Sequence, residues 1–210
     1  ALPIWYLADS DGVLPEKLAN GRVHNFELKP TDTPIILRTF FDGVGTHAIC
    51  VGFPQGVHLA FDGRQIGPRL FWKGRLLDAH GTWYDRFVPP TKPLGTDIVS
   101  IVSGPGAHSD QRTNSWPDQV ANLRMLGYRL VDGVPTFRYQ VGKTEIHDRM
   151  TPRDGGFVRH IEIATAGEKP VWIQLAAGQD IHHQGANVRV GQLHLSGKAL
   201  TRAEVVGAKP

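Results

Sequence analysis

Residues 57–86 read VHLAFDGRQIGPRLFWKGRLLDAHGTWYDR, and their punctuation decides the fold. Gly63, Gly67, Gly74 and Gly81 cut the apolar runs too short for helices. The stretch therefore reads as three strands: VHLAFD at 57–62, RLFWKGRLLD at 69–78 and TWYDR at 82–86. It also gathers Phe61, Phe71, Trp72, Trp83 and Tyr84 beside Asp62, Asp78, Asp85, Arg64, Arg69, Arg75 and Arg86. Strands that mix indoles with ionised groups must pair those charges or present them to a ligand, because an unpaired buried charge is expensive.

Two readings of this cluster follow. In the first it is a packed pin. Trp72 and Trp83 bridge two sheets, Asp62 and Asp78 end their strands and bind turn amides, and Arg75 and Arg86 pair with those carboxylates. In the second it is a recognition face. Trp72, Trp83 and Tyr84 stack on a sugar ring while the neighbouring Asp and Arg side chains take its hydroxyls.

Working outward, residues 22–29, 34–41 and 47–53 read as strands, the last two joined by the turn DGVG. Downstream, FVPPTKPLGTD at 87–97 is a rigid connector, and 98–102 is a short strand. Residues 103–118, SGPGAHSDQRTNSWPD, have the composition of a long surface loop and offer a boundary between two sub-lobes. The second half is a meander: 124–131, 135–141 and 144–150 are separated by Asp-Gly and Gly-Lys hairpin turns. Further strands follow at 157–164, 170–176, 187–195 and 200–206. Period-two alternation is visible at 136–141 and 159–163. The best helical candidate, 117–126, lacks an apolar stripe. The expected fold is an all-β antiparallel sandwich, meander-rich with little helix, with an N-terminal arm at 1–20 and the sandwich at 21–210.

Composition narrows the function. Lys and Arg number 23 against 20 Asp and Glu, without a basic block, which argues against a nucleic-acid partner. Cys50 is the single cysteine, so there is no internal disulfide, no CxxCH for covalent haem and no cysteine zinc site. Its apolar context, HAICVGF, reads as a buried structural thiol. No run of about 18 apolar residues is present, so no transmembrane segment is expected. The start at Ala1 reads either as a mature end after signal removal or as a domain boundary. Nucleotide loops, GxSxG, HExxH and EF-hand patterns are all missing.

Ten histidines invite a metal test. In GQDIHHQG, Asp180, His182 and His183 would suit copper or zinc together with His194, provided the His pair lies in a loop. On a regular strand, adjacent side chains point to opposite faces. Blue copper does not fit, because Cys50 comes early and Met125 and Met150 are remote from it. Asp62, Asp78, Asp85 and Glu145 offer carboxylate pairs of the kind a glycoside hydrolase needs.

Several short patterns occur together. They are Gly52, Pro54, Gly56 and Val57; Phe61 and Asp62; Trp72, Gly74, Arg75, Leu76, Leu77 and Asp78; Thr82, Trp83 and Arg86; and Gly133, Pro135, Thr136, Phe137 and Tyr139. The combination resembles a β-rich module of large exported bacterial proteins that carry c-type cytochrome domains and often a quinoprotein-like dehydrogenase propeller. The resemblance spans roughly residues 34–177. It implies periplasmic export and a partner protein, a c-type cytochrome or a membrane-bound electron-transfer complex. It carries over no settled activity, so no catalytic residue is assigned, and without a haem attachment motif no cofactor is expected on this chain. The chain departs from the multidomain pattern in having neither CxxCH nor propeller. The leading expectation is thus a non-catalytic accessory or scaffold module, with a carbohydrate-binding module and a metal-dependent or hydrolytic enzyme as alternatives.

Overall fold

A computed structural model describes residues 26–83, 90–109, 117–165, 169–175, 188–189, 192–195 and 202–206, the last three segments through their backbone. The expected arm at 1–20 lies outside these residues. The described chain is built from strands. β1 (Glu27–Leu28), β2 (Ile35–Phe41), β3 (Gly45–Gly52), β4 (Val57–Asp62), β5 (Gly67–Lys73) and β6 (Leu77–Asp78) lead into a single helical turn, α1 (His80–Trp83). After β7 (Thr96–Ser100) and β8 (Ala107–His108) comes a meander of β9 (Leu123–Val131), β10 (Val134–Val141), β11 (Thr144–Arg153) and β12 (Gly156–Thr165). The last strands are β13 (Val171–Gln174), β14 (Val188–Arg189), β15 (Gln192–Leu195) and β16 (Arg202–Val206).

These strands form a first sheet ordered β2-β3-β4-β5-β7, a second ordered β9-β10-β11-β12-β16, a third ordered β8-β13-β15-β14, and a ribbon of β1 with β6. Among the described residues all pairings within the sheets are antiparallel, and no sheet closes into a barrel. The fold is all-β and sandwich-like, as the strand pattern predicts. Its meander hairpins follow from turn chemistry. Asp132-Gly133 and Asp154-Gly155 each place both residues at positive φ, which matches the twist of the strands they join.

The core is layered on the first sheet. β4 is buried at every position, as a strand covered on both faces must be. From one face Ile49, Val51, Leu59 and Phe61 meet Phe137, Tyr139, Ile146, Met150 and Phe157 of the second sheet, and Ala107, Val171 and Ile173 of the third. From the other face Ala48, Cys50, Ala60 and Trp72 are covered by Phe26, Leu28, Leu76, Leu77 and Ala79.

Four local expectations are corrected. The strand read at 69–78 breaks at Gly74, whose φ of +87° lets the chain leave the first sheet so that β6 pairs with β1 in the outer layer. In the segment read as a strand at 82–86, Thr82 and Trp83 belong to α1. The helical candidate at 117–126 instead enters β9 at Leu123, where side-chain packing against the core outweighs weak helical propensity. The segment read as a surface loop at 103–118 also holds β8, whose Ala107 and His108 are buried. β8 pairs with β13. Gly106 lies so close to the Ile66 carbonyl that a Cβ would overlap it.

Candidate functional site

The central cluster is resolved into separate structural tasks. Trp72 is 1% exposed, and its Nε1–H reaches the carbonyls of Arg75 and Leu76 at 3.1 and 3.0 Å. It stacks on Phe41 at 5.5 Å. The core reading of Trp72 holds, with a different second layer: it is packed between the first sheet and the β1–β6 ribbon. It is too buried to carry a sugar ring, and it does not bridge the two large sheets. Its register partner is His58, which places it on the same face as Ala60 and Cys50 and opposite Leu59 and Phe61. The inter-sheet contact belongs to Phe61, stacked on Phe137, and to Phe157, packed on Phe53 and Phe71.

The charges also pair differently from expectation. Asp62 accepts the Arg64 and Gln65 amides at 2.8 and 3.2 Å and meets Arg69, not Arg75, at 3.3 Å. Both side chains of that pair are buried. Arg69 also donates to the Val102 and Gly104 carbonyls, tying the turn after β4 to the chain beyond β7. Burial works against the Arg69 charge and lowers its pKa, with Asp62 opposing that shift. Asp78 accepts the Phe26 and His80 amides at 3.1 and 2.8 Å. Arg75 is exposed and grips Glu27 through two bonds of 3.0 and 2.8 Å, which hold the Glu27 carboxyl below its ordinary range.

For the proposed carboxylate pairs, Asp62 and Asp78 are held in these turns, and Glu145 lies on the far face of the second sheet. There Arg138 and His147 bond it at 2.8 and 3.0 Å and lower its pKa. Tyr84, Asp85, Arg86, Asp180, His182 and His183 lie outside the described residues. The backbone of Trp83 is in α1 and that of His194 in β15, where His194 pairs with Trp172. Among the described residues no three His, Cys, Asp or Glu side chains gather as a metal site. Cys50 is buried and free, with its thiol pushed up by burial, so it carries no nucleophile at neutral pH.

Sequence reasoning missed a second buried pair. Asp148, on β11, and Arg159, on β12, meet at 2.6 Å with side chains 0% and 7% exposed. Tyr139 donates its hydroxyl to Asp148, and Arg159 reaches the Gln174 carbonyl on β13, so the pair joins the second sheet to the third. Burial opposes the Arg159 charge, but Asp148 and Tyr139 together outweigh it and the pKa rises; burial also raises that of Tyr139. A signal was available. Asp148 shares the inward phase of Ile146 and Met150, and Arg159 that of Phe157 and Ile161.

An open cleft of about 1020 Å³ lies between the edge strands β2 and β9. From β2 come Arg38, Thr39 and Phe40, from β3 Thr46 and His47, and from β9 Met125, Leu126 and Gly127. The alternation of β2 explains the lining. Leu37, Thr39 and Phe41 are buried, which leaves Arg38 and Phe40 outward, Phe40 at 63% exposure. Behind the edge, Thr39, Thr82 and Thr91 form a hydroxyl cluster with separations of 2.6 and 3.4 Å. The Thr91 amide and carbonyl fix the connector to β2 through Phe40 and Asp42. Opposite, the β9–β10 register slips between Arg138 and Tyr139, and this bulge turns Leu126 and Gly127 to the cleft. Phe40 and Arg38 were not singled out in the sequence, although Arg-Thr-Phe in an otherwise apolar strand marks a face that leaves the core.

Compared with protein-family models, curated proteins and solved structures, the chain matches none. Among the described residues no helix is long and apolar enough to cross a membrane.

Proposed function

We propose that this protein is a partner-binding accessory module whose docking face is the cleft between β2 and β9. The observation that carries the reading is Phe40, a large aromatic held 63% exposed at the mouth of a concave, mostly apolar surface between two sheet edges. Rigid strands set both walls, so the cleft is preorganised for a ligand. The sequence resemblance supports an exported electron-transfer assembly as the setting, with a c-type cytochrome or membrane-bound complex as the partner.

The test is isolation of the tagged chain from its native source, beside a Phe40→Ala variant of unchanged circular dichroism. The reading expects a stoichiometric partner with haem absorbance in the first preparation and its loss in the second. A partner retained by Phe40→Ala would remove the cleft from the account. A partner without haem would remove the electron-transfer setting.

A further inference from the structure

The character of the cleft lining bears on what the partner inserts. Among the described residues, Arg38 and His47 line it and no Asp or Glu does. Among the described residues, Arg69, Arg75, Arg138 and Arg159 each hold a carboxylate of this chain. Arg38 holds none, although it is exposed on the same strand face as Phe40. A guanidinium left without a carboxylate beside an aromatic ring is suited to a bound anion.

Spacing narrows the anion further. Arg38 and Phe40 are two residues apart on one strand, a separation of roughly 6.6 Å at ordinary strand rise. An extended peptide running alongside repeats its own side chains at the same interval.

We propose that the cleft receives an extended acidic segment of the partner, with a carboxylate on Arg38 and an apolar side chain two positions along on Phe40. The proposal rests on the cleft being the docking face. It assigns specificity to charge at Arg38 and contact area to Phe40, with the hydroxyls of Thr46 and Thr91 within the same lining for backbone groups.

The probe is a fluorescent, terminally blocked peptide of about eight residues with glutamate and phenylalanine or leucine two positions apart on one face and serine at the positions between them, alongside its glutamine counterpart. Anisotropy titrations use the full chain and its Arg38→Gln and Phe40→Ala variants, each checked by circular dichroism. The glutamate peptide is expected to bind the unaltered chain about tenfold tighter than the glutamine peptide. Arg38→Gln is expected to abolish that difference, and Phe40→Ala to weaken both peptides. Half-molar salt should also shrink the difference. Equal binding of the two peptides, or a preference that survives Arg38→Gln, overturns the acidic assignment. If Phe40→Ala still weakens both peptides in that case, the docking face itself stands. If neither variant changes any titration, both proposals fall. Failure of the glutamate peptide to bind also removes the acidic segment, and inorganic phosphate binding instead would mark a small-anion site.

Discussion

Phe61 and Phe137 stack face to face, with ring centroids 3.9 Å apart and planes 6° from parallel. The two rings come from β4 and β10 and join the first sheet to the second at the centre of the core. Phe61→Ala should therefore cost about 3–5 kcal/mol in urea unfolding, from lost transfer energy and an unfilled cavity. Phe40→Ala, at the cleft, should change stability by less than about 0.5 kcal/mol. Similar losses at both positions would contradict this division between core and binding face.

Asp148 and Arg159 are buried together, so removal of one charge strands the other. Asp148→Asn is expected to destabilise by about 3–5 kcal/mol. Replacing Asp148 and Arg159 together by Leu and Met should recover much of that loss, because desolvation no longer opposes burial. Thermal unfolding of the two variants checks the order, and a double variant no better than the single one would refute it.

His58 gives the fold a weakness toward acid. Its Nδ1 accepts the Phe53 amide at 3.2 Å and its Nε2–H donates to the Gly74 carbonyl at 2.7 Å, an arrangement that requires the neutral ring. Burial lowers its pKa, with the Gly74 bond opposing that shift. The unfolded chain thus binds the proton first. The contribution is fully present above the ordinary histidine pKa of about 6.5 and is lost as pH falls through the lowered folded value. Unfolding free energy measured from pH 7.5 to 4.5 should drop more steeply for the parent than for His58→Gln, and parallel curves would exclude His58 as the cause.

Gly106 packs against the turn at Ile66, itself a β-branched residue at a φ of +57°. Gly106→Ala should cost about 2–4 kcal/mol, since backbone must move to admit the methyl group. Limited proteolysis should then cut more readily near residues 104–108. A fully resistant variant would show that the approach is not essential.

The strand order of the meander, the hairpins at Asp132-Gly133 and Gly142-Lys143 and the buried state of Cys50 were legible in the sequence, because they depend on local turn chemistry and side-chain period. Tertiary structure decided the partners. Arg75 and Arg69 are six residues apart in one charged stretch, yet Arg75 goes out to Glu27 and Arg69 in to Asp62. Trp72 and Phe61 belong to the same paired strands but face opposite layers, since one step of register reverses a side chain. The cleft was hidden for the same reason: Arg38 and Phe40 approach Met125 through the packing of two sheets, a relation that local sequence does not encode.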